Sequence, residues 1–361
     1  MQTPYHRLAR TPAHRWWRTL LGTLFIVVGG AVVAIGVLLA VTLSAAIAGR
    51  PENADGLPSF GVHTDLALAF VTIALLLPLV LFAARWIQGR PAGTVSSVTG
   101  RLRWRWLLTC LPVAAAAIVV VLSGGATLAW LTGEDLGLDG GVVGWAPFLV
   151  SMSVLILVVP AQAAAEEYVT RGWLLQAVGA WCRSPWLPIT VQAVVFAALH
   201  GWGTPWGFAD LVVFGAVAGW LTVRTGGLEA AIALHVANNL ISSVLAAAFG
   251  ELTLDETAAD MPWQFFAVDV PALLTFAAVI AWLARRKKIA TLSPPTPPPA
   301  PQFPPPPAYM PYPATPTAGW PAVPASGPLP AAPAGPSVSL GAPPSDSPPT
   351  EPAAIPPPAP A

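Results

Sequence analysis

The sequence predicts an all-α fold: a polytopic integral membrane bundle of about eight transmembrane helices, followed by a disordered proline-rich tail. Its composition, its run lengths and its charge placement all point there. Of 361 residues, 55% are hydrophobic and 9% charged, with mean hydropathy +0.65, whereas a soluble domain is about one quarter charged. Eight stretches approach or exceed the roughly 20 apolar residues needed to cross a bilayer. Sixteen of the 17 basic residues fall on one side of the path these stretches trace.

Residues 1–19 form a basic N-terminus carrying Arg7, Arg10, Arg15 and Arg18. Apolar stretches follow at 20–47, 64–84 and 106–131, which together make an N-terminal membrane region over 20–142. The stretches 145–168, 186–201, 207–223 and 228–249 make a second region over 143–249, and 264–284 is the last span, within 250–290. Most lack an amphipathic period, as lipid-facing helices do. With the N-terminus inside, Arg85, Arg90, Arg101, Arg103, Arg105, Arg171, Arg183, Arg224 and the run Arg285 to Lys288 are all inside, and only Arg50 is outside. The positive-inside rule then places both termini in the cytoplasm and the chain in the plasma membrane. Acidic residues such as Glu52, Glu134, Glu251 and Asp260 favour the opposite loops. The first stretch is too long for a removable signal peptide, and no acylation motif is present. Cys110 and Cys182 lack metal or redox spacing and read as bystanders. With a formal net charge of zero, nothing points to nucleic acid.

From Thr291 the composition changes: 28 of the 42 prolines lie beyond it. Proline removes amide donors and fixes φ, so residues 291–361 are expected to be extended and disordered. They read as a spacer; the runs PPTPPP and QFPPPPAYMPYP keep a proline-binding partner open.

Few strongly polar groups remain inside the spans. Glu166 and Glu167 close the fourth, His200 closes the fifth, and His235 and Asn239 lie in the seventh. A charged group at the bilayer centre costs about 2.5–3.5 kcal/mol on insertion scales, so such residues face one another or a wet cavity. Glu167 and Arg171 are four apart and pair on one helix face, with Glu166 turned about 100° away. One glutamate is then structural and the other free. His235 and Asn239 project together, and Phe196 lies one turn from His200 as an aromatic wall. By rise per residue, Glu166 and His235 lie about 10 Å from the inner interface and His200 about 18 Å, a mismatch that a tilted fifth span or an interfacial segment before it would close.

These residues fall into three ordered motifs, EEYVTR, FAALH and HVANN. The trio resembles that of the CPBP intramembrane proteases, the family containing type II CAAX prenyl endopeptidases and bacteriocin-processing and immunity proteins. The resemblance covers roughly 143–249. It implies an intramembrane peptidase in which Glu166 is general base on water and His200 positions that water. His235 and Asn239 would stabilise the oxyanion, while Glu167 and Arg171 brace the helix end. Peptide hydrolysis needs a base and donors aimed at the developing negative oxygen, and these residue types supply both. Two forms stay open: a zinc held by His200 and His235 with Glu166, or no metal. The expected substrate is a membrane-associated protein or peptide, of CAAX or leader-peptide type, reached through a water-filled cavity from the cytoplasmic half of the bilayer. A chain rich in Ala, Arg and Pro, with Lys only at 287 and 288, suits a bacterium of high GC content. The competing readings are a transporter using the polar cluster as a cation pathway, and a scaffold or immunity protein acting through the tail.

Overall fold

A computed structural model describes residues 2–52, 56–136, 141–252 and 257–295. The elements, in order, are α1 (Trp16–Ala48), α2 (Val62–Ala74), α3 (Leu76–Phe82), α4 (Trp104–Thr132), α5 (Trp145–Glu167), α6 (Leu175–Gly179), α7 (Trp186–Leu199), α8 (Pro205–Thr225), α9 (Glu229–Phe249) and α10 (Trp263–Arg286). A π-helical turn at Ala83–Ile87 extends α3, and a second at Tyr168–Leu174 joins α5 to α6. Among the described residues there are isolated bridges but no strands. The all-α membrane bundle is what the composition requires.

Among the described residues, seven helical runs are long and apolar enough to span a membrane. The expected fifth span is not among them: α7 has 14 residues, about 21 Å at 1.5 Å per residue. The chain nevertheless crosses there. Pro4 pairs with Leu292 in an antiparallel bridge, and Ser293 donates its backbone N–H to the Thr3 carbonyl at 2.9 Å. Residues 3–4 and 292–293 therefore lie at one end of the bundle, which needs an even number of passes between them. Residues 200–204 complete this fifth pass, and Thr204 donates its N–H to the Ala259 carbonyl at 2.8 Å. The short helix suffices because the connection after α9 folds inward to meet it, burying Ala259 completely. The fourth span also departs from expectation. It does not end at Glu167 but continues through the π turn to Gly179, a run of 35 residues.

Local chemistry explains the boundaries. Thr204 caps α8, its hydroxyl accepting from the Gly207 N–H at 3.0 Å, with Pro205 in the first turn where no amide partner is lost. Helices α4, α8 and α9 stop at Gly133, Gly226 and Gly250, each in the left-handed region. Helix α1 exposes Leu24, Val27, Ile35 and Leu39, the surface a lipid-facing helix presents. The interior is built by α9, packed on α4 and α5, with α10 against α4 and α8 and α7 against α8. Ala230, Ala231, Ala233 and Ala237 are buried, and these small side chains let neighbouring backbones approach. At the basic end, Arg103 clasps buried Glu229 at 2.6 Å and donates to the Thr225 and Ala290 carbonyls, tying α4, α8, α9 and the chain end together.

The N-terminal segment docks at that same end. Tyr5 is fully buried and donates its hydroxyl to the Val95 carbonyl. The His6 imidazole lies 3.2 Å from the Arg183 carbonyl. The first residues of the proline-rich tail are thus paired rather than free; its remainder, from 296, lies outside the described residues, as do Asp55, Asp139, Asp255 and Glu256.

Two outcomes are expected. A Cβ on Gly207 would stand 2.1 Å from the Ala259 carbonyl oxygen, whereas one on Gly36 would meet nothing within 4 Å. Gly207→Ala should therefore lose about 1–3 kcal/mol by overpacking, and Gly36→Ala should be neutral or stabilising, in thermal unfolding of the detergent-solubilised protein. Burial, helped by Arg7, holds the His6 pKa below its ordinary 6.5 against the opposing Arg183 carbonyl. A lowered folded pKa favours the neutral ring, so its contribution is complete above pH 6.5 and fades as pH falls toward the folded value. Amide protection of residues 3–10, corrected for intrinsic exchange, should drop over that window and lose its pH dependence in His6→Asn.

Candidate functional site

The polar residues of α5, α9 and α7 converge where α5 passes into its π turn, a feature common at functional sites. Glu167 is fully buried, and its Oε1 accepts from Arg171 Nη1 at 2.8 Å and from His235 Nδ1 at 2.7 Å. The expected pair of Glu167 and Arg171 is formed, and its carboxylate also reaches α9. Arg171 donates to Thr170 Oγ1 at 3.0 Å and lies over Phe196, 4.1 Å from the ring centroid, with Phe214 at 5.7 Å. Its Nε and Nη2 have no hydrogen-bond partner; the aromatic faces supply the remaining stabilisation of the buried cation.

Glu166 points the other way. Its Oε1 accepts from Gln162 Nε2 at 2.6 Å, and its buried Oε2 lies 3.6 Å from His235 Nε2 without a hydrogen bond. With 18% of its side chain exposed, against none for Glu167, it faces a cavity of about 620 Å³. His235 stands between the two carboxylates. Its Nδ1 contact with Glu167 fixes the ring, as a carboxylate does for a catalytic or metal-bound imidazole.

Asn239 Nδ2 donates to Gln162 Oε1 at 3.1 Å, and Asn238 Nδ2 donates to Asn239 Oδ1 at 3.2 Å. Gln162 thus joins α5 to α9 and holds Glu166 at the same time. Sequence reasoning passed over it because one neutral amide in AQAAAEE carries no charge signal; its position four residues before Glu166 was the available clue. Phe214 was likewise missed, being one aromatic in an apolar helix.

His200 caps α7 and lines the same cavity as Glu166, Gln162 and Asn239. Its Nδ1 lies 2.9 Å from the Phe196 carbonyl, and its ring centroid is 4.6 Å from that of Phe196. Phe196 also meets His235 edge-on at 5.8 Å. It is therefore the wall shared by both imidazoles and the guanidinium. Among the described residues, no three His, Cys, Asp or Glu side chains stand where they could hold a metal ion. The set of His200, His235 and Glu166 does not assemble as ligands, and no step below passes through a metal.

Residues 147–241 match the family model described as type II CAAX prenyl endopeptidase Rce1-like. The chain is also 25% identical, over 237 residues, to the uncharacterized protein YyaK of Bacillus subtilis (strain 168), an alignment covering 62% of this chain and 77% of that one. No solved structure matches. Glu166, Glu167, Arg171, Phe196, His200, His235 and Asn239 all lie within the matched segment, and over that core the chain is similar to the type II CAAX prenyl endopeptidase Rce1-like family.

Proposed function

We propose that the protein is an intramembrane endopeptidase that hydrolyses a peptide bond of a membrane-associated polypeptide, with Glu166 as general base. The observation that carries this reading is the division of labour between the adjacent glutamates. Glu167 is consumed by Arg171 and His235, while Glu166, held by Gln162 at one oxygen, stays partly exposed and lines the cavity. Similarity to a protease family over the same residues supports it. Multi-pass insertion in the plasma membrane, with both termini in the cytoplasm, belongs to this reading and is supported by the basic residues gathered where residues 3–4 meet 292–293.

In this reading a water between Glu166 and His200 loses a proton to the Glu166 carboxylate as its oxygen attacks the scissile carbonyl carbon. The carbonyl electrons move to oxygen. Asn239, whose amide has a second N–H beside the one given to Gln162, meets that oxyanion, with His235 packed behind it and oriented by Glu167. Glu166 then passes the proton to the departing nitrogen, the C–N bond breaks, and the carboxylate is restored. Glu167 acts through His235 as a positioning residue. Arg171 holds Glu167 in place, and the apolar packing of Phe196 and Phe214 excludes bulk water from the pair.

Comparison of peptide termini in membrane fractions from cells carrying wild type and Glu166→Gln is the direct test. Termini present only with wild type are expected, and their loss in the variant should correspond to roughly 10²–10⁴-fold slower cleavage. Asn239→Ala should slow cleavage of the same bond by about 10²–10³-fold. Identical termini in wild type and Glu166→Gln would end the proposal, and ion flux that survives in Glu166→Gln would favour a transporter. Glu167→Gln should differ in kind: it leaves a buried guanidinium unneutralised and should cost about 3–5 kcal/mol in thermal unfolding, whereas Glu166→Gln should unfold near the wild-type temperature.

A further inference from the structure

Among the described residues, the cavity at Glu166 reaches the end of the bundle away from the basic one. From Glu166, Gln162 and Asn239 it runs outward along α9 past Ser242 and Ser243 to Glu251, Thr257 and Asp260. Glu251 lies just after α9, and Thr257 and Asp260 just before α10; all three are exposed. In the other direction the site is sealed. Glu167, Arg171, Leu228 and Glu229 are fully buried, and Trp173 and Ile232 nearly so. Beyond that seal lie the Arg103–Glu229 clasp and the paired termini. The expected entry from the cytoplasmic half of the bilayer is thus not what the cavity provides.

The walls differ in chemistry. Leu66, Phe70 and Val121 make one side apolar. Asn238, Asn239, Ser242 and Ser243 add amides and hydroxyls from one face of α9, a polar track through otherwise apolar helices. Apart from His200, every ionisable side chain lining the cavity among the described residues is acidic: Glu166, Glu251, Asp260 and Asp269. Asp269 is buried and hydrogen-bonded to Asp210 of α8. A single-sign cleft with low-dielectric walls focuses its field and concentrates the opposite charge.

Taking Glu166 as the hydrolytic group, we infer that the substrate enters from the extracytoplasmic end, along the Ser242–Ser243 track, and is a polypeptide carrying basic residues beside an apolar stretch. The apolar wall receives the hydrophobic side chains, and the acidic mouth holds the basic ones.

Thiol labelling in membranes tests this without reference to cleavage, so it can fail while the assignment of Glu166 stands, and the reverse. Native Cys182, partly exposed beyond the sealed end, reports one face, while Cys110 is buried. Ser243→Cys in a Cys182→Ser background reports the cavity, with Thr257→Cys at its mouth as a second variant should the first fail to fold. A membrane-impermeant cationic methanethiosulfonate is added to spheroplasts and to inverted vesicles, and modification is read by mass. Ser243→Cys should react in spheroplasts and Cys182 in inverted vesicles. The cationic reagent should outpace an anionic analogue of the same size at Ser243→Cys by roughly tenfold or more, relative to Thr64→Cys outside the cavity. Labelling of Ser243→Cys from the same face as Cys182, from the cytoplasmic face, or from neither would overturn the route. Equal or faster reaction of the anionic reagent would overturn the basic-substrate class.

Discussion

The site depends on one buried carboxylate. Glu167 has no solvent exposure and divides a single oxygen between a guanidinium on its own helical run and an imidazole on α9. Between helices in lipid there is little hydrophobic drive for association, so small-residue packing and interhelical hydrogen bonds set how helices pair. A charge-assisted bond under 3 Å from α5 to α9 fixes the rotation of both helices about their axes. Once they are fixed, Gln162 can meet Asn239 and Glu166 must face the cavity. The adjacency of the two glutamates is what makes this possible: about 100° of helical rotation separates a carboxylate tied to Arg171 and His235 from one that lines the cavity.

Holding an arginine in such a place is costly unless its charge is met on all sides. Glu167 neutralises it, Thr170 accepts a hydrogen bond, and the faces of Phe196 and Phe214 cover the groups left without partners. Phe196 then does a second thing by contacting both imidazoles, so the packing that shields the ion pair also sets the wall of the cavity. Stability and chemistry share these side chains, which is why a change to Glu167 and a change to Glu166 differ in consequence although the residues are neighbours.

Water must still reach a carboxylate inside a membrane bundle. The fold solves this asymmetrically. At the basic end, side chains and backbone interlock: Arg103 on Glu229, Tyr5 on Val95, and residues 3–4 on 292–293. At the other end the short α7 and the inward connection before α10 leave the α9 face of amides and hydroxyls accessible. A polar face against an apolar wall suits an extended peptide whose backbone needs hydrogen bonds and whose side chains need burial.

Much of this was legible in the residues. Composition and run length determined an α-helical membrane bundle, because hydrocarbon leaves the backbone no hydrogen-bond partner but itself. The four-residue spacing of Glu167 and Arg171 determined their pair, since local geometry on one helix needs no knowledge of the rest. Three things waited for the tertiary structure, each set by contacts distant in sequence. That His235 bonds Glu167 and only approaches Glu166 depends on how α9 is rotated against α5. The truncation of α7 depends on Ala259, more than fifty residues away, meeting Thr204. The direction of the cavity depends on which end of the bundle seals, and hydropathy, which reads each segment alone, contains no term for that.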